Sequence, residues 1–193
     1  MELDPHPISG AWDYGFSLDR HIRSSEFLGY NEYGHPHFNT ERTEIGELLY
    51  RLKYRGDEAA VNPIAEAASA FIRTWKPGIE VIVPAPPSKA RPKQPLFQIA
   101  DEIGKLLGTP VDKTSVRKTS ATPELKNLDQ TKRIEALAGA HSIEGQALSG
   151  RRVLLLDDLY QSGATLNAIT ILLKGAGGAA AVFALALTRA RKW

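Results

Sequence analysis

The chain has 193 residues, 42% of them hydrophobic, and 24 Lys and Arg against 22 Asp and Glu leave a net charge of +2. That length and composition suit one sizeable core, and the small charge argues against nucleic acid as an obligate partner. The absence of cysteine excludes disulfides, thiolate zinc sites and a thiol nucleophile. No apolar run approaches about 18 residues and no charged-then-apolar leader opens the chain, so a cytoplasmic protein with no membrane partner is expected.

Residues 1–42 are rich in aromatics, His and turn formers. Phe16–Asp19 and Glu26–Tyr30 read as short strands and Asn31–Gly34 as a turn. Residues 1–42 are therefore expected as a small β-rich flap or hood packed on an α/β domain spanning 43–193. From Thr43 the period turns helical: Ile45, Leu48, Leu49 and Leu52 form one stripe that ends at Gly56. A second helix is expected over Asn62–Trp75, with Ile64, Ala67, Ala68 and Phe71 inward. Ile79–Val83 is a β-branched strand. Leu96, Phe97, Ala100, Ile103 and Leu107 then mark a helix closed by Gly108. The stretch from Lys113 to Ala140 is long and weakly periodic, which suits either a mobile flap over a reacting centre or a disordered insertion. Val153–Leu156 is a buried strand, Leu166, Ile169, Leu172 and Leu173 line a helix, and Ala181–Leu187 is a final strand. Continuous apolar strands alternating with amphipathic helices imply an α/β fold, doubly wound, with a mainly parallel sheet.

In such sheets ligands bind off the carboxyl ends of the strands, and two loops there carry chemistry. After Leu156 come Asp157 and Asp158, which need a partner or a cleft because an unpaired buried charge is too costly. Ser162, Gly163, Ala164 and Thr165 then open a helix, where unpaired N–H groups and the helix dipole favour an anion. Carboxylates for sugar hydroxyls beside a nest for phosphate describe a sugar-phosphate site. The alternative is a plain strand-turn-helix connection with Asp158 or Ser162 as the cap. The loop after Val83 is held by Pro84, Pro86 and Pro87, and Lys89, Arg91 and Lys93 make it basic. A third basic element is Arg117-Lys118-Thr119. In the first segment Trp12, Tyr14, Phe16 and Tyr30 are candidates for stacking on a planar base, although aromatics in a flap more often form its own core. His35-Pro36-His37 reads as a loop rather than a metal site.

The run Val153–Thr165 resembles the phosphoribosyl-pyrophosphate motif of type I phosphoribosyltransferases, an apolar strand followed by D-D-x-x-T-T-G-x-T. Asp157, Asp158, Gly163 and Thr165 match and Ser162 replaces the second Thr. Gln161 replaces the first Thr and removes a hydroxyl that could reach phosphate. From about Ile45 to Arg191 the chain looks like the competence-protein-F-like (ComF-like) branch of that superfamily. Leu52-Lys53-Tyr54, Val83-Pro84-Ala85-Pro86, Arg91 with Gln94, and Arg117-Lys118-Thr119 carry this wider likeness. The Cys-rich zinc ribbon common in that branch has no counterpart among these residues.

The resemblance implies an Mg²⁺-dependent phosphoribosyltransferase acting on a nitrogenous base or amine. Its 5-phosphate would rest on Gln161, Ser162, Gly163, Ala164 and Thr165, and its pyrophosphate on Ala85, Pro86, Ser88, Lys89, Arg117 and Lys118. Asp157 and Asp158 would take the ribose hydroxyls and hold Mg²⁺ through those hydroxyls or water. The partners it implies are phosphoribosyl pyrophosphate and an acceptor, with a homodimer as the assembly. A module that binds phosphoribosyl pyrophosphate or a nucleotide without turnover, and an accessory role in DNA uptake or processing, are the alternatives.

Overall fold

The computed structural model describes residues 1–87, 91–119, 139–146 and 148–190. Its centre is a five-stranded sheet in the order β1 (His6–Pro7), β2 (Tyr14–Ser17), β9 (Ala181–Arg189), β8 (Arg152–Tyr160), β5 (Val81–Pro84). The contacts β2–β9, β9–β8 and β8–β5 are parallel, and only β1 runs antiparallel to its neighbour. Beyond β5 the chain adds a single bridge from Val111 to Ile82. Val153–Leu156 and Val182–Leu187 are buried, as strands covered on both faces must be.

The helices form where the apolar stripes lie. Helix α1 (Glu44–Arg55) starts at Thr43, whose hydroxyl accepts the Gly46 N–H, and stops at Gly56 in a left-handed conformation. Helix α2 (Val61–Trp75) buries Ile64, Ala68 and Ile72, and α3 (Pro95–Leu107) buries Leu96, Ile99 and Ile103 before the left-handed Gly108. These three helices pack in sequence, whereas α4 (Ala164–Lys174) lies against β8 and β9. Fold class and helix positions match the expectation.

Three departures bear on function. The division expected at residue 42 does not describe the packing: residues 1–21 enter the core sheet. Strand β2 pairs with β9, Leu18 is fully buried, and Phe16 packs edge-on to Phe71 and Trp75. The apolar strand β9 would otherwise present an unpaired edge, and β2 satisfies it. β3 (Ile22–Tyr30) and β4 (Pro36–Arg42) stay outside that sheet and form an antiparallel hairpin around the Asn31–Gly34 turn. That strand takes in His37, which the sequence placed in a loop.

Second, the strand expected to stop at Leu156 runs on to Tyr160. Asp157, Leu159 and Tyr160 pair with Ala186, Thr188 and Arg189 of β9, so the carboxylates lie within the sheet. Ladder pairing overrides the low strand propensity of Asp. Third, β6 (Val116–Lys118) and β7 (His141–Ile143) pair as a small hairpin. Of the stretch Lys113–Ala140, read as a flap or a disordered insertion, residues 120–138 lie outside the described residues.

Candidate functional site

Strand alternation sends Asp157 and Asp158 to opposite faces at the tip of β8. Asp158 meets the last turn of α1: its Oδ2 lies 2.6 Å from Lys53 Nζ, with the side chains 26% and 19% exposed. Lys53 follows buried Leu52 and lies one turn beyond buried Leu49, at the margin of the buried face of α1. Asp157 Oδ1 accepts the Asp158 N–H at 2.8 Å. Burial pushes the Asp157 carboxyl up to about 7, and the Asp158 charge adds to the rise; that backbone N–H and Lys53 work the other way.

The tip is braced from β9. Buried Thr188 donates its hydroxyl proton to the Asp158 carbonyl at 2.8 Å and lies 3.2 Å from His21 Nδ1. With that proton committed, Thr188 accepts from His21, so the imidazole carries its hydrogen on Nδ1. Burial, then Lys53 and Arg42, hold the His21 pKa below its usual value and favour this neutral form.

A cavity of about 310 Å³ opens over this tip, lined by Lys53, Ala85, Pro86, Arg91, Asp157, Asp158 and Thr165 among others. A second, of about 190 Å³, is lined by Gln161, Ser162, Gly163, Ala164 and Thr165 and shares Asp157, Leu159 and Thr165 with the first. All five residues expected at the phosphate nest are thus together. Gly163 caps α4 at φ 72°, where a Cβ would stand 2.9 Å from the Tyr160 ring. Its carbonyl takes both the backbone N–H and the Nδ2 of Asn167, at 2.8 and 2.9 Å. Helix α4 has no side-chain cap and no acidic residue in its first turn. Ser162 Oγ accepts the Ala164 N–H in a long contact of 3.5 Å. The first-turn amides therefore suit an anion.

The residues expected to hold pyrophosphate do not all meet. Ala85 and Pro86 line the larger cavity. Yet the Ala85 N–H is bonded to Leu156 O at 2.8 Å, and Pro84, Pro86 and Pro87 have none to give. Ser88 and Lys89 lie outside the described residues. Arg117 pairs with Glu144 at 3.1 Å, and neither it nor Lys118 lines either cavity. The cations that do are Arg91, one of the basic residues of the loop after Val83, and Lys53, which enters the sequence argument only as a point of likeness.

The stacking candidates divide similarly. Trp12 is 5% exposed and donates its indole N–H to Ile8 O at 2.9 Å, and Phe16 is in the aromatic cluster with Phe71 and Trp75. Both are core. Tyr14 and Tyr30 are exposed, and neither lines the cavities at the Asp pair.

No family model matches the chain. Among curated proteins it is similar to competence protein ComFC of Bacillus subtilis, 28% identical over 144 residues that make up 74% of this chain and 59% of that protein. The ComF-like resemblance is supported by that match, and the chain spans less than two thirds of the relative's length. Solved structures similar to it include adenine phosphoribosyltransferase of Saccharomyces cerevisiae, with a TM-score of 0.48, 15% identity, and 82% and 81% of the two chains covered. Adenine phosphoribosyltransferase of Thermoanaerobacter pseudethanolicus has a TM-score of 0.46, 19% identity and coverage of 83% and 92%. UMP synthase of Leishmania donovani has a TM-score of 0.44 and 18% identity, over 86% of this chain and 28% of that one. Among the described residues no helix is long and apolar enough to cross a membrane.

Proposed function

We propose that the chain binds phosphoribosyl pyrophosphate and transfers the phosphoribosyl group to a nitrogenous base or amine. The observation that carries this reading is the junction of the two cavities: an uncapped helix start and a pair of carboxylates meet at Asp157 and Thr165. On this proposal one sugar bearing a 5-phosphate and a C1 leaving group lies across that junction.

In this reading the amides of Gly163 to Thr165 hold the 5-phosphate, with Ser162, Thr165 and the Gln161 amide around it. Asp157 and Asp158 accept the ribose hydroxyls and face the positive charge that develops on the ring as the C1–O bond breaks. Lys53 and Arg91 offset the charge gathering on the departing pyrophosphate. Proximity and electrostatics supply the catalysis, and no protein nucleophile is involved.

The donor set suits Mg²⁺ only as an ion shared with substrate. Among the described residues no three His, Asp or Glu side chains converge on a point, and Asp158 is already paired with Lys53. Magnesium favours one or two carboxylates together with substrate phosphates, so Asp157 and Asp158 would hold it jointly with the ligand, where it would neutralise leaving-group charge.

A second reading, binding without turnover, is favoured by one observation: residues 84–87 turn no free N–H towards the pyrophosphate side. Calorimetric titration with phosphoribosyl pyrophosphate, with and without Mg²⁺, tests the common part of both. Mg²⁺-dependent binding that disappears in Asp157→Asn/Asp158→Asn supports the site, and release of pyrophosphate on adding bases then selects transfer over sensing. No binding to the wild type at millimolar ligand removes both readings.

A further inference from the structure

The 5-phosphate nest is not closed on its far side. Tyr160 and Gln161, which line it, also line a larger cavity of about 740 Å³ together with Asp4, His6, Arg20 and Arg189. This cavity lies away from the ribose side of the nest, since it shares none of its lining with the 310 Å³ cavity over the Asp pair. Gln161, the departure from the motif, therefore stands where nest and cavity meet.

Sheet register explains the positive charge there. Tyr160 pairs with Arg189, and Arg189 bridges to Arg20, so three residues form one row across adjacent strands. Partners in register share a face, and two strand spacings put Arg20 about 10 Å from Tyr160 along the row. Arg20 and Arg189 both line the cavity that shares Tyr160 and Gln161 with the nest.

The row already holds an anion. Asp4 Oδ2 lies 2.6 Å from Arg189 Nη2 and 3.8 Å from Arg20 Nε. Arg189 is built in, 13% exposed and donating also to Asp4 O and Ser17 Oγ at 2.8 and 3.3 Å. Asp4 itself is 63% exposed, on a segment outside any strand or helix, so it can leave. A guanidinium pair is suited to phosphate oxygens.

We infer that this cavity is a subsite for a second phosphoryl group attached to the 5-phosphate, so that the site takes a nucleoside 5′-diphosphate with Asp4 displaced. This rests on the 5-phosphate assignment made under the proposed function. The α-phosphate sits in the nest, and the β-phosphate takes the place of the Asp4 carboxylate between Arg189 and Arg20. Such a ligand competes with phosphoribosyl pyrophosphate for the nest.

The test is displacement of Mg²⁺-phosphoribosyl pyrophosphate by ADP and by AMP, followed by calorimetry. ADP is expected to compete at about tenfold lower concentration than AMP, and GDP over GMP likewise, because no base contact is invoked. Arg20→Ala should abolish that preference and leave phosphoribosyl pyrophosphate affinity unchanged, while Asp4→Ala should widen it. If phosphoribosyl pyrophosphate binds but the diphosphate is no better than the monophosphate, or the preference survives Arg20→Ala, the subsite is wrong and the parent reading stands. If phosphoribosyl pyrophosphate does not bind while an Arg20-dependent preference for ADP is seen, the subsite stands and the parent reading falls. Failure of all three ligands to bind overturns both.

Discussion

At the residue scale the site is governed by how two neighbouring carboxylates are treated differently. Asp158 has its own cation, whereas Asp157 is pushed up by burial and by Asp158 itself. A carboxyl raised from 3.8 to about 7 favours the folded state in its protonated form, so its burden is absent at low pH and grows as pH rises through that interval. Asp157→Asn should therefore leave the melting temperature near wild type at pH 4 and raise it by about 2–6 °C at pH 8. Melts at the two pH values check this, and equal destabilisation at both would refute it. Phosphoribosyl pyrophosphate with Mg²⁺ should bind more tightly as pH rises towards 7, since both favour the carboxylate. Lys53→Met leaves Asp158 half-buried and unpaired, with an expected cost of about 1–3 kcal/mol. Adding Asp158→Asn should recover part of that loss, which a double-mutant cycle by denaturant unfolding measures. The Asp pair was legible because its chemistry is contiguous with the nest. Lys53 was not, because only the packing of α1 brings it there from a distant part of the chain.

At the element scale, the strand-turn-helix unit from Arg152 to Lys174 was readable from small residues after an apolar run, and the end of its strand was not. Charge begins after Leu156, and local propensity carries no information about Ala186 and Thr188 across the ladder. What the turn demands is clear from Gly163. Any side chain there meets Tyr160 and is forced into a left-handed conformation, and the cost of a non-glycine residue at such a position is about 1 kcal/mol or more. Because α4 starts at that residue, Gly163→Ala should displace the first-turn amides. The expected result is loss of at least about tenfold in phosphoribosyl pyrophosphate affinity by calorimetry, with far-ultraviolet circular dichroism little changed. Unchanged affinity would mean that the nest does not hold the 5-phosphate. The β5 loop shows the opposite limit of a sequence reading: its prolines and basic residues were evident, but the Ala85 N–H proved to be committed to Leu156.

At the scale of the whole molecule, the long-range pairing of β2 with β9 decides what is core and what is appendage. The sequence showed a change of composition near residue 42 and suggested a boundary there. Composition reports local chemistry, however, and parallel pairing between the two ends of a chain leaves no local trace. In the structure, pairing with β9 runs as far as His21, whose N–H donates to Arg189 O, while the hairpin beyond it exposes Phe27, Tyr30 and Phe38. Two substitutions separate these roles. Leu18 is fully buried beside β9, so Leu18→Ala should cost about 2–5 kcal/mol, or a melting temperature lower by about 5–15 °C. Tyr30 is 72% exposed and packs on Phe27 within the hairpin alone, so Tyr30→Ser should cost under about 1 kcal/mol. Because the segment that carries Leu18 leads directly into Arg20 and His21, loosening it should also weaken binding at the strand tips, which Tyr30→Ser should not do. Thermal melts and ligand titration of both variants provide the check: similar, small effects from each would mean that residues 1–21 pack as loosely as the hairpin and do not help to build the site.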